Sequence, residues 1–142
     1  MSTAKRVVLD TNVLLSLFVF ADSRFAPLRD RLEAGEWRAL TSDACLGEFK
    51  RVLAYPEFGL DAEAQAQALI RYESLVERVS GPPPTPAPLP QCKDRDDQKF
   101  LELARDGGAQ WLVTSDKALL KLARRGRLAA LFRIMTPEAA LA

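Results

Sequence analysis

Residues 6–15 read Arg6-Val7-Val8-Leu9-Asp10-Thr11-Asn12-Val13-Leu14-Leu15. The apolar run at 7–9 is typical of a strand that is buried on both faces at the centre of a parallel sheet. The run stops at Asp10, and the next two residues suit a turn into an apolar helix over 13–20. An acid at the carboxyl end of a central strand lies where open α/β sheets form their ligand crevice. A turn former or a helix cap explains Asp10 equally well at this point.

The composition narrows the class of protein. The chain has 142 residues, of which 48% are hydrophobic and 27% charged, and this predicts one globular domain over 1–142. No apolar run reaches the roughly 20 residues that span a bilayer, and the amino terminus lacks a basic-then-apolar signal pattern. We therefore expect a cytoplasmic protein with no membrane partner.

The absence of histidine restricts the chemistry. It excludes Ser-His-Asp and Cys-His catalysis and histidine-ligated metals. Cys45 and Cys92 lack the paired spacing of a zinc or redox site and are expected to be reduced, buried thiols. Carboxylates, lysines or hydroxyls must then carry any catalysis, and clustered carboxylates call for Mg²⁺ or Mn²⁺.

Strand and helix patterns alternate along the chain. Strands are predicted over 7–9, 37–41, 110–113 and 131–135. Helices are predicted over 13–20, 24–34, 61–79 and 117–124, after the cap Ser42 as far as Leu53, within 93–106 before Gly107, and as a terminal turn capped by Thr136. The segment 81–90 holds six of the nine prolines and predicts an extended connector inside the domain.

Two further acids fall at informative helical positions. Glu48 lies about 40° from Val52, on the rim of an apolar stripe, where it either looks into a crevice or stays exposed. Asp97 precedes apolar residues at i+3, i+4 and i+7, which places it in a first helical turn on the core side. Asp94, Asp96 and Asp97 can each also be simple caps that suit the helix macrodipole.

The opening design recurs later in the chain. The strand over 110–113 ends on Thr114-Ser115-Asp116 before a helix, as the first strand ends on Asp10. Because parallel strands joined by right-handed crossovers end at one edge, Asp10, Glu48, Asp97 and Asp116 are predicted to meet there. Four neighbouring carboxylates repel one another, and a divalent cation relieves that repulsion.

The segment 117–133 is basic and contains no acid, although the net charge of the chain is only +1. It predicts either a surface that binds phosphates or a solvated helix face.

Four stretches together resemble the PIN-domain family, most closely its branch of bacterial toxin–antitoxin toxins. They are 8–14, the helix that carries Glu48, 94–101 (Asp-Arg-Asp-Asp-Gln-Lys-Phe-Leu) and 113–120 (Val-Thr-Ser-Asp-Lys-Ala-Leu-Leu). The resemblance covers essentially the whole chain. The ordered combination of Asp-Thr-Asn, Asp-x-Asp-Asp-x-x-Phe-Leu and Thr-x-Asp is what makes it specific.

This resemblance implies a fold, an activity and partners. The implied fold is a three-layer α/β/α sandwich around a parallel sheet of about five strands. The implied activity is that of a Mg²⁺- or Mn²⁺-dependent endoribonuclease acting on single-stranded RNA, which is tRNA, mRNA or rRNA. A cognate antitoxin and a homodimer are the implied protein partners.

The resemblance also assigns the site residues. Catalysis and metal binding fall on Asp10, Glu48, Asp97 and Asp116, and helical spacing favours Asp97 over its neighbour. The supporting polar groups are Asn12, Thr114, Ser115 and Asp96. The RNA backbone is expected to follow Lys93, Arg95, Lys99, Lys117, Lys121 and Arg124. Attack by a metal-activated water would leave 5′-phosphate and 3′-hydroxyl ends.

Two other functions compete with this hypothesis. A haloacid-dehalogenase-like phosphohydrolase also has an aspartate at the end of its first strand, but it needs a second aspartate where this chain has Asn12, and an amide cannot exchange a proton. A PIN-like module that only binds RNA or protein remains open, and loss of cleavage in metal-replete protein would favour it.

Overall fold

The structure is a computed structural model that describes residues 4–142, except for the side chains of residues 126–127. It is a three-layer α/β/α sandwich around a five-stranded, all-parallel sheet of order β3-β2-β1-β4-β5, which confirms the predicted fold class. The strands are β1 (Lys5–Leu9), β2 (Trp37–Thr41), β3 (Val76–Arg78), β4 (Trp111–Val113) and β5 (Arg133–Met135). The helices are α1 (Thr11–Phe18), α2 (Ala26–Glu33), α3 (Asp43–Leu53), α4 (Ala62–Glu73), α5 (Gln98–Asp106), α6 (Lys117–Lys121), α7 (Gly126–Ala129) and α8 (Pro137–Leu141).

The central strand β1 is buried on both faces, as its unbroken apolar run predicts. Val7 and Val8 are both 0% exposed. Because successive side chains of a strand point to opposite faces, Val7 packs in the core beneath α1, α2 and α4, and Val8 packs in the core beneath α5. One short segment therefore organises both hydrophobic cores.

The predicted helix over 61–79 is wrong in its last third. Helix α4 ends at Glu73, and Val76–Arg78 forms the edge strand β3, which pairs with β2 in the register Ala39↔Val76. The pairing continues beyond the strand, since Val79 N donates to Thr41 O at 2.8 Å. Leu75, Val76 and Val79 satisfy helical spacing, but the free edge of β2 offers β-branched residues a better place.

Smaller differences concern helix ends. The predicted helix 24–34 is a 3₁₀ turn, Ser23–Phe25, followed by α2, and the predicted helix 117–124 is α6 followed by a 3₁₀ turn, Leu122–Arg124. A further 3₁₀ turn, Arg95–Asp97, precedes α5. The caps Ser42 and Thr136 are confirmed, because their hydroxyls accept from the backbone N–H groups of Cys45 and Ala139.

The proline-rich connector 81–90 contains no helix or strand, as predicted. Its end is fixed by the side chain of Gln98, which donates to Pro90 O at 3.1 Å and accepts from Cys92 N at 2.7 Å. Arg105 Nη1 also donates to Ala87 O at 3.1 Å. The connector is thereby attached to α5 at two points.

Cys45 and Cys92 are buried and free, in agreement with the prediction of reduced thiols. Among the helices of residues 4–142, none has the length and apolar character that crossing a membrane requires.

Candidate active site

The site lies where the order of the sheet changes direction. From β1 the chain moves outward through β2 and β3, and it then returns to the other side of β1 to form β4 and β5. The crevice of such a sheet forms between the carboxyl ends of the two central strands. Asp10 follows β1 and Thr114 follows β4, and Asp10 N donates to Val113 O at 3.1 Å.

Asp10 is 4% exposed and both of its carboxylate oxygens accept hydrogen bonds. Oδ1 accepts from Val13 N at 3.0 Å and caps α1, and Oδ2 accepts from the hydroxyl of Thr114. Burial raises the pKa of Asp10, the two hydrogen bonds oppose that rise, and the charges of Asp116 and Glu48 add to it. Asp10 is therefore a helix cap and also a member of an acidic group.

Asp97 ends the 3₁₀ turn before α5 and makes no capping hydrogen bond. The pKa of Asp97 is raised to about 6, mainly by burial; the charges of Asp116 and Asp94 and, more weakly, of Asp10 add to the rise, and Lys99 opposes it. The charges of Asp116 and Asp10 thus act on Asp97, although the three residues come from separate parts of the sequence.

Asp116 is the N-cap of α6. Its Oδ1 accepts from Ala118 N at 2.7 Å and from Leu119 N at 3.3 Å. Its own N–H donates to Thr114 Oγ1 at 3.0 Å. The Thr114 hydroxyl therefore joins Asp116 to Asp10 through one oxygen atom.

Glu48 is half-buried in α3 and is held from two sides. Lys99 Nζ donates to Oε1 at 2.8 Å, and the hydroxyl of Thr11 donates to Oε2. Glu48 is therefore directed at the edge of the sheet, as the rim position predicts, and it already has a cationic partner.

The four predicted supporting residues differ in their placement. Thr114 is fully buried and contacts Asp10, whereas Asn12, Ser115 and Asp96 are exposed. The backbone carbonyl of Asp96, not its carboxylate, takes part, because it accepts from Lys99.

Sequence reasoning missed two contributors to this site. Thr11 was expected only in a turn, yet its hydroxyl holds Glu48. Asp94 caps the 3₁₀ turn before α5 and raises the pKa of Asp97. The Asp-x-Asp-Asp run contained a signal for Asp94, but no pattern marks a contact between Thr11 and a residue 37 positions away.

The predicted RNA-binding cations form no single group. Lys93, Lys117 and Lys121 line one cavity near Asp97. Arg95 and Arg124 are exposed, and Lys99 lines a different cavity and bonds to Glu48.

The donor atoms of this edge suit a hard divalent cation, because all are carboxylate or hydroxyl oxygens. Among residues 4–142, however, no three acids or cysteines stand close enough to form a ready-made cage. Mg²⁺ usually keeps several waters and takes one or two carboxylates together with substrate phosphates, so an open arrangement fits it. Asp10, Asp97 and Asp116 are the residues that would hold the ion, beside Glu48.

Parallel α/β/α sandwiches with carboxylates at the switch point serve several enzyme classes, so the family of this chain has to be identified from its sequence. The family model described as PIN domain matches residues 6–118, a stretch that includes all four acids, and the chain belongs to the PIN-domain family. No curated protein sequence matches the chain.

Proposed function

We propose that this protein is a Mg²⁺- or Mn²⁺-dependent endoribonuclease that cleaves single-stranded RNA as the toxin of a toxin–antitoxin pair. The observation that carries the proposal is the convergence of three acids at the β1/β4 switch point: the Thr114 hydroxyl joins Asp10 to Asp116, and Asp97 lies close enough for their charges to raise its pKa. Carboxyl groups with a raised pKa, such as those of Asp10 and Asp97, cluster at functional sites. Membership of the PIN-domain family supports the nuclease class.

A divalent ion at these carboxylates would lower the pKa of a bound water and neutralise the charge of the scissile phosphate. Other residues of the chain orient the carboxylates that would bind this ion. Thr114 orients the buried carboxylate of Asp10 and holds the backbone of Asp116. Asp97, whose carboxylate receives no capping bond, keeps its oxygens free for an ion.

Glu48 has a different role in this proposal. Thr11 and Lys99 hold its two oxygens, so its carboxylate adds negative charge at a fixed position beside the other acids. That charge attracts a divalent cation and raises the pKa of Asp10.

The substrate and the partners follow from the resemblance and from the surface. Lys93, Lys117 and Lys121 are exposed cations near Asp97 and suit the phosphates of a single strand drawn from tRNA, mRNA or rRNA. A cognate antitoxin would cover the acidic crevice, and a homodimer is the assembly that the family resemblance implies.

Cleavage of a mixed single-stranded RNA tests the proposal. Purified protein is incubated with Mn²⁺, Mg²⁺ or EDTA, in parallel with Asp10→Asn and Asp97→Asn variants whose circular dichroism shows them folded. We expect metal-dependent products with 5′-phosphate ends and a loss of about 10²-fold or more in both variants.

Asp30→Asn is the matched control, since Asp30 is an exposed acid on α2. It should cleave like the wild type. Equal cleavage by all four proteins would indicate a contaminating nuclease and reject the site. No cleavage by any folded, metal-loaded form would favour a PIN-like module that binds RNA or protein without cutting.

The toxin role has its own test. Induced expression of the wild type should arrest bacterial growth, and expression of Asp10→Asn to the same level should not. Normal growth with cleavage-competent protein would reject the toxin role and keep the nuclease.

A further inference from the structure

A cavity of about 500 Å³ is lined by Asp97, by residues 91–93 that follow the proline-rich connector, and by the segment from α6 to Arg125. Its volume falls within the roughly 300–1,000 Å³ typical of ligand pockets. Four exposed cations line it: Lys93, Lys117, Lys121 and Arg125. We call this cavity the basic groove.

The cations of the basic groove are available to a ligand. Across residues 4–142, no carboxylate forms an ion pair with any of the four. Lys117 and Lys121 are four residues apart on α6, so they lie on one face of that helix. Lys93 belongs to a different segment, whose neighbouring residue Cys92 is tied to α5 through Gln98.

The basic groove also has an apolar part. Exposed Ala118 and half-buried Leu122 provide its apolar surface, and Cys92 and Leu119 lie beneath them, only 7% and 1% exposed. A cavity that combines cations with apolar surface suits a ligand that carries both a phosphate and a flat or apolar group. A nucleotide has that chemistry, whereas a free phosphate would leave the apolar lining unused.

A second cavity, of about 330 Å³, lies at the same edge of the sheet beyond β2 and β3. Its lining includes Asp43, Glu102 and Asp106, and its cation Lys99 is already bonded to Glu48. Asp43 pairs with Arg78 at 3.6 Å, and Asp106 pairs with Arg105 at 2.7 Å. This cavity therefore offers no free cation to a phosphate. The edge of the sheet is thus acidic beyond β2 and β3 and basic on the side of the basic groove.

We propose that the basic groove binds one nucleotide of single-stranded RNA adjacent to the scissile phosphate, so that the strand leaves the acidic site over the β4–β5 half of the sheet. Phosphate oxygens contact the four cations, and the base or ribose lies on the apolar lining. The groove defines the side of the site on which the substrate is held, and it rests on the proposed ribonuclease function.

Binding without metal tests this groove separately from catalysis. The probe is fluorescein-labelled octauridylate, and anisotropy is measured in EDTA over a range of salt concentrations. Lys117→Ala/Lys121→Ala should weaken binding about tenfold and reduce the slope of log K against log salt by about 1.4, as expected for two lost phosphate contacts. Lys93→Ala/Arg125→Ala removes two cations that reach the groove from outside α6 and should weaken binding by the same factor.

Lys50→Ala/Arg71→Ala is the matched control, because it removes two exposed cations from α3 and α4 and leaves the net charge equal to that of the groove variants. It should bind like the wild type. Equal weakening in this control, or unchanged binding in both groove variants, would overturn the proposal.

Octathymidylate distinguishes RNA from single-stranded DNA as the source of the nucleotide. Tighter binding of the RNA supports the proposal, and equal or tighter binding of the DNA overturns RNA as the preferred ligand. Groove-dependent binding by a protein that never cleaves would reject the nuclease function alone. Cleavage without groove-dependent binding would reject the groove alone.

Discussion

Lys99 Nζ lies 2.8 Å from Oε1 of Glu48, and the same ammonium group donates to the backbone carbonyl of Asp96. The side chains of Lys99 and Glu48 are only 16% and 19% exposed. The pair joins α3 to the turn that carries Asp97, so it positions two of the four acids relative to each other. Lys99 therefore acts within the acidic site, and its placement differs from that of the exposed cations.

Removal of this ammonium should affect the protein through Glu48. We expect Lys99→Met to lower the free energy of unfolding by about 1–3 kcal/mol, because it leaves a half-buried carboxylate without its charged donor. In a double-mutant cycle by urea denaturation, Lys99→Met combined with Glu48→Gln should cost at least about 0.5 kcal/mol less than the sum of the single changes.

Lys99→Arg keeps the charge and should retain most of the stability. Additive effects in the cycle, together with weaker octauridylate binding by Lys99→Met in EDTA, would instead identify Lys99 as an RNA contact.

The hydroxyl of Thr114 supports both Asp10 and Asp116. Thr114→Val preserves the shape of the buried side chain but removes its hydrogen bonds, so we expect a loss of about 1–3 kcal/mol in the free energy of unfolding. Cleavage should also fall, because the carboxylate of Asp10 loses its orientation. Thr114→Ser restores the hydroxyl and should recover cleavage, and a serine variant as impaired as the valine variant would contradict this role.

The raised pKa of Asp97 makes metal-free stability depend on pH. Its pKa is about 6 in the folded protein against an ordinary value of 3.8. Between these values the folded protein keeps a proton that the unfolded chain has released, so the free energy of unfolding should decrease as pH rises from about 4 to about 6. Above that window Asp97 adds no further change.

Urea denaturation in EDTA at several pH values, for wild type and Asp97→Asn, measures this effect. The free energy of unfolding of the wild type minus that of Asp97→Asn should decline from pH about 4 to about 6 and then stay level. A difference that is constant from pH 4 to 7 would show that the carboxyl titrates normally. Mn²⁺ should stabilise the wild type more than the variant, by about 2.7 kcal/mol at 100 times its dissociation constant if the variant does not bind.

Gly107 closes α5 against the sheet at a place with no room for a side chain. A Cβ there would lie 2.7 Å from Leu40 Cδ1, 2.9 Å from Val79 Cγ2 and 3.1 Å from Leu103 O. We expect Gly107→Ala to lower the free energy of unfolding by about 1–3 kcal/mol in a urea titration.

Gly47 provides the comparison, because a Cβ there meets only Arg51 Nη1, at 3.6 Å. Gly47→Ala lies inside α3 and should raise stability by up to about 1 kcal/mol. A destabilised Gly47→Ala, or a neutral Gly107→Ala, would contradict this account of the packing.

The predictability of the fold differs between its centre and its edge. The unbroken apolar run of Val7, Val8 and Leu9 correctly predicted a strand buried on both faces, and Trp37–Thr41 matches its predicted bounds. Edge strand β3 was missed because Val76, with Leu75 and Val79 on either side of the strand, also satisfies a helical period, and only the unpaired edge of β2 decides between the two structures. A single sequence contains no direct sign of such a partner.

The candidate site also has parts that the sequence predicted and parts that it did not. Asp10 and Asp116 were predicted to lie at one edge because both follow parallel strands. The Thr114 hydroxyl connects them, and Asp10 N donates to Val113 O at the end of β4. The contacts of Glu48 with Thr11 and Lys99 depend on the rotation of helices that are far apart in sequence. Periodicity predicts which face of a helix is buried, but it does not predict which residues of other segments contact that face.

The two attachments of the proline-rich connector to α5 bear on how its length can vary. Because the carbonyls of Ala87 and Pro90 accept hydrogen bonds from Arg105 and Gln98, the last part of the connector is anchored to α5. The residues over 82–86 carry no such restraint from the described side chains and can gain or lose residues at little cost. Insertions should be tolerated there, whereas a single added residue between 88 and 92 would shift Lys93 along the groove and change the fit of the RNA strand.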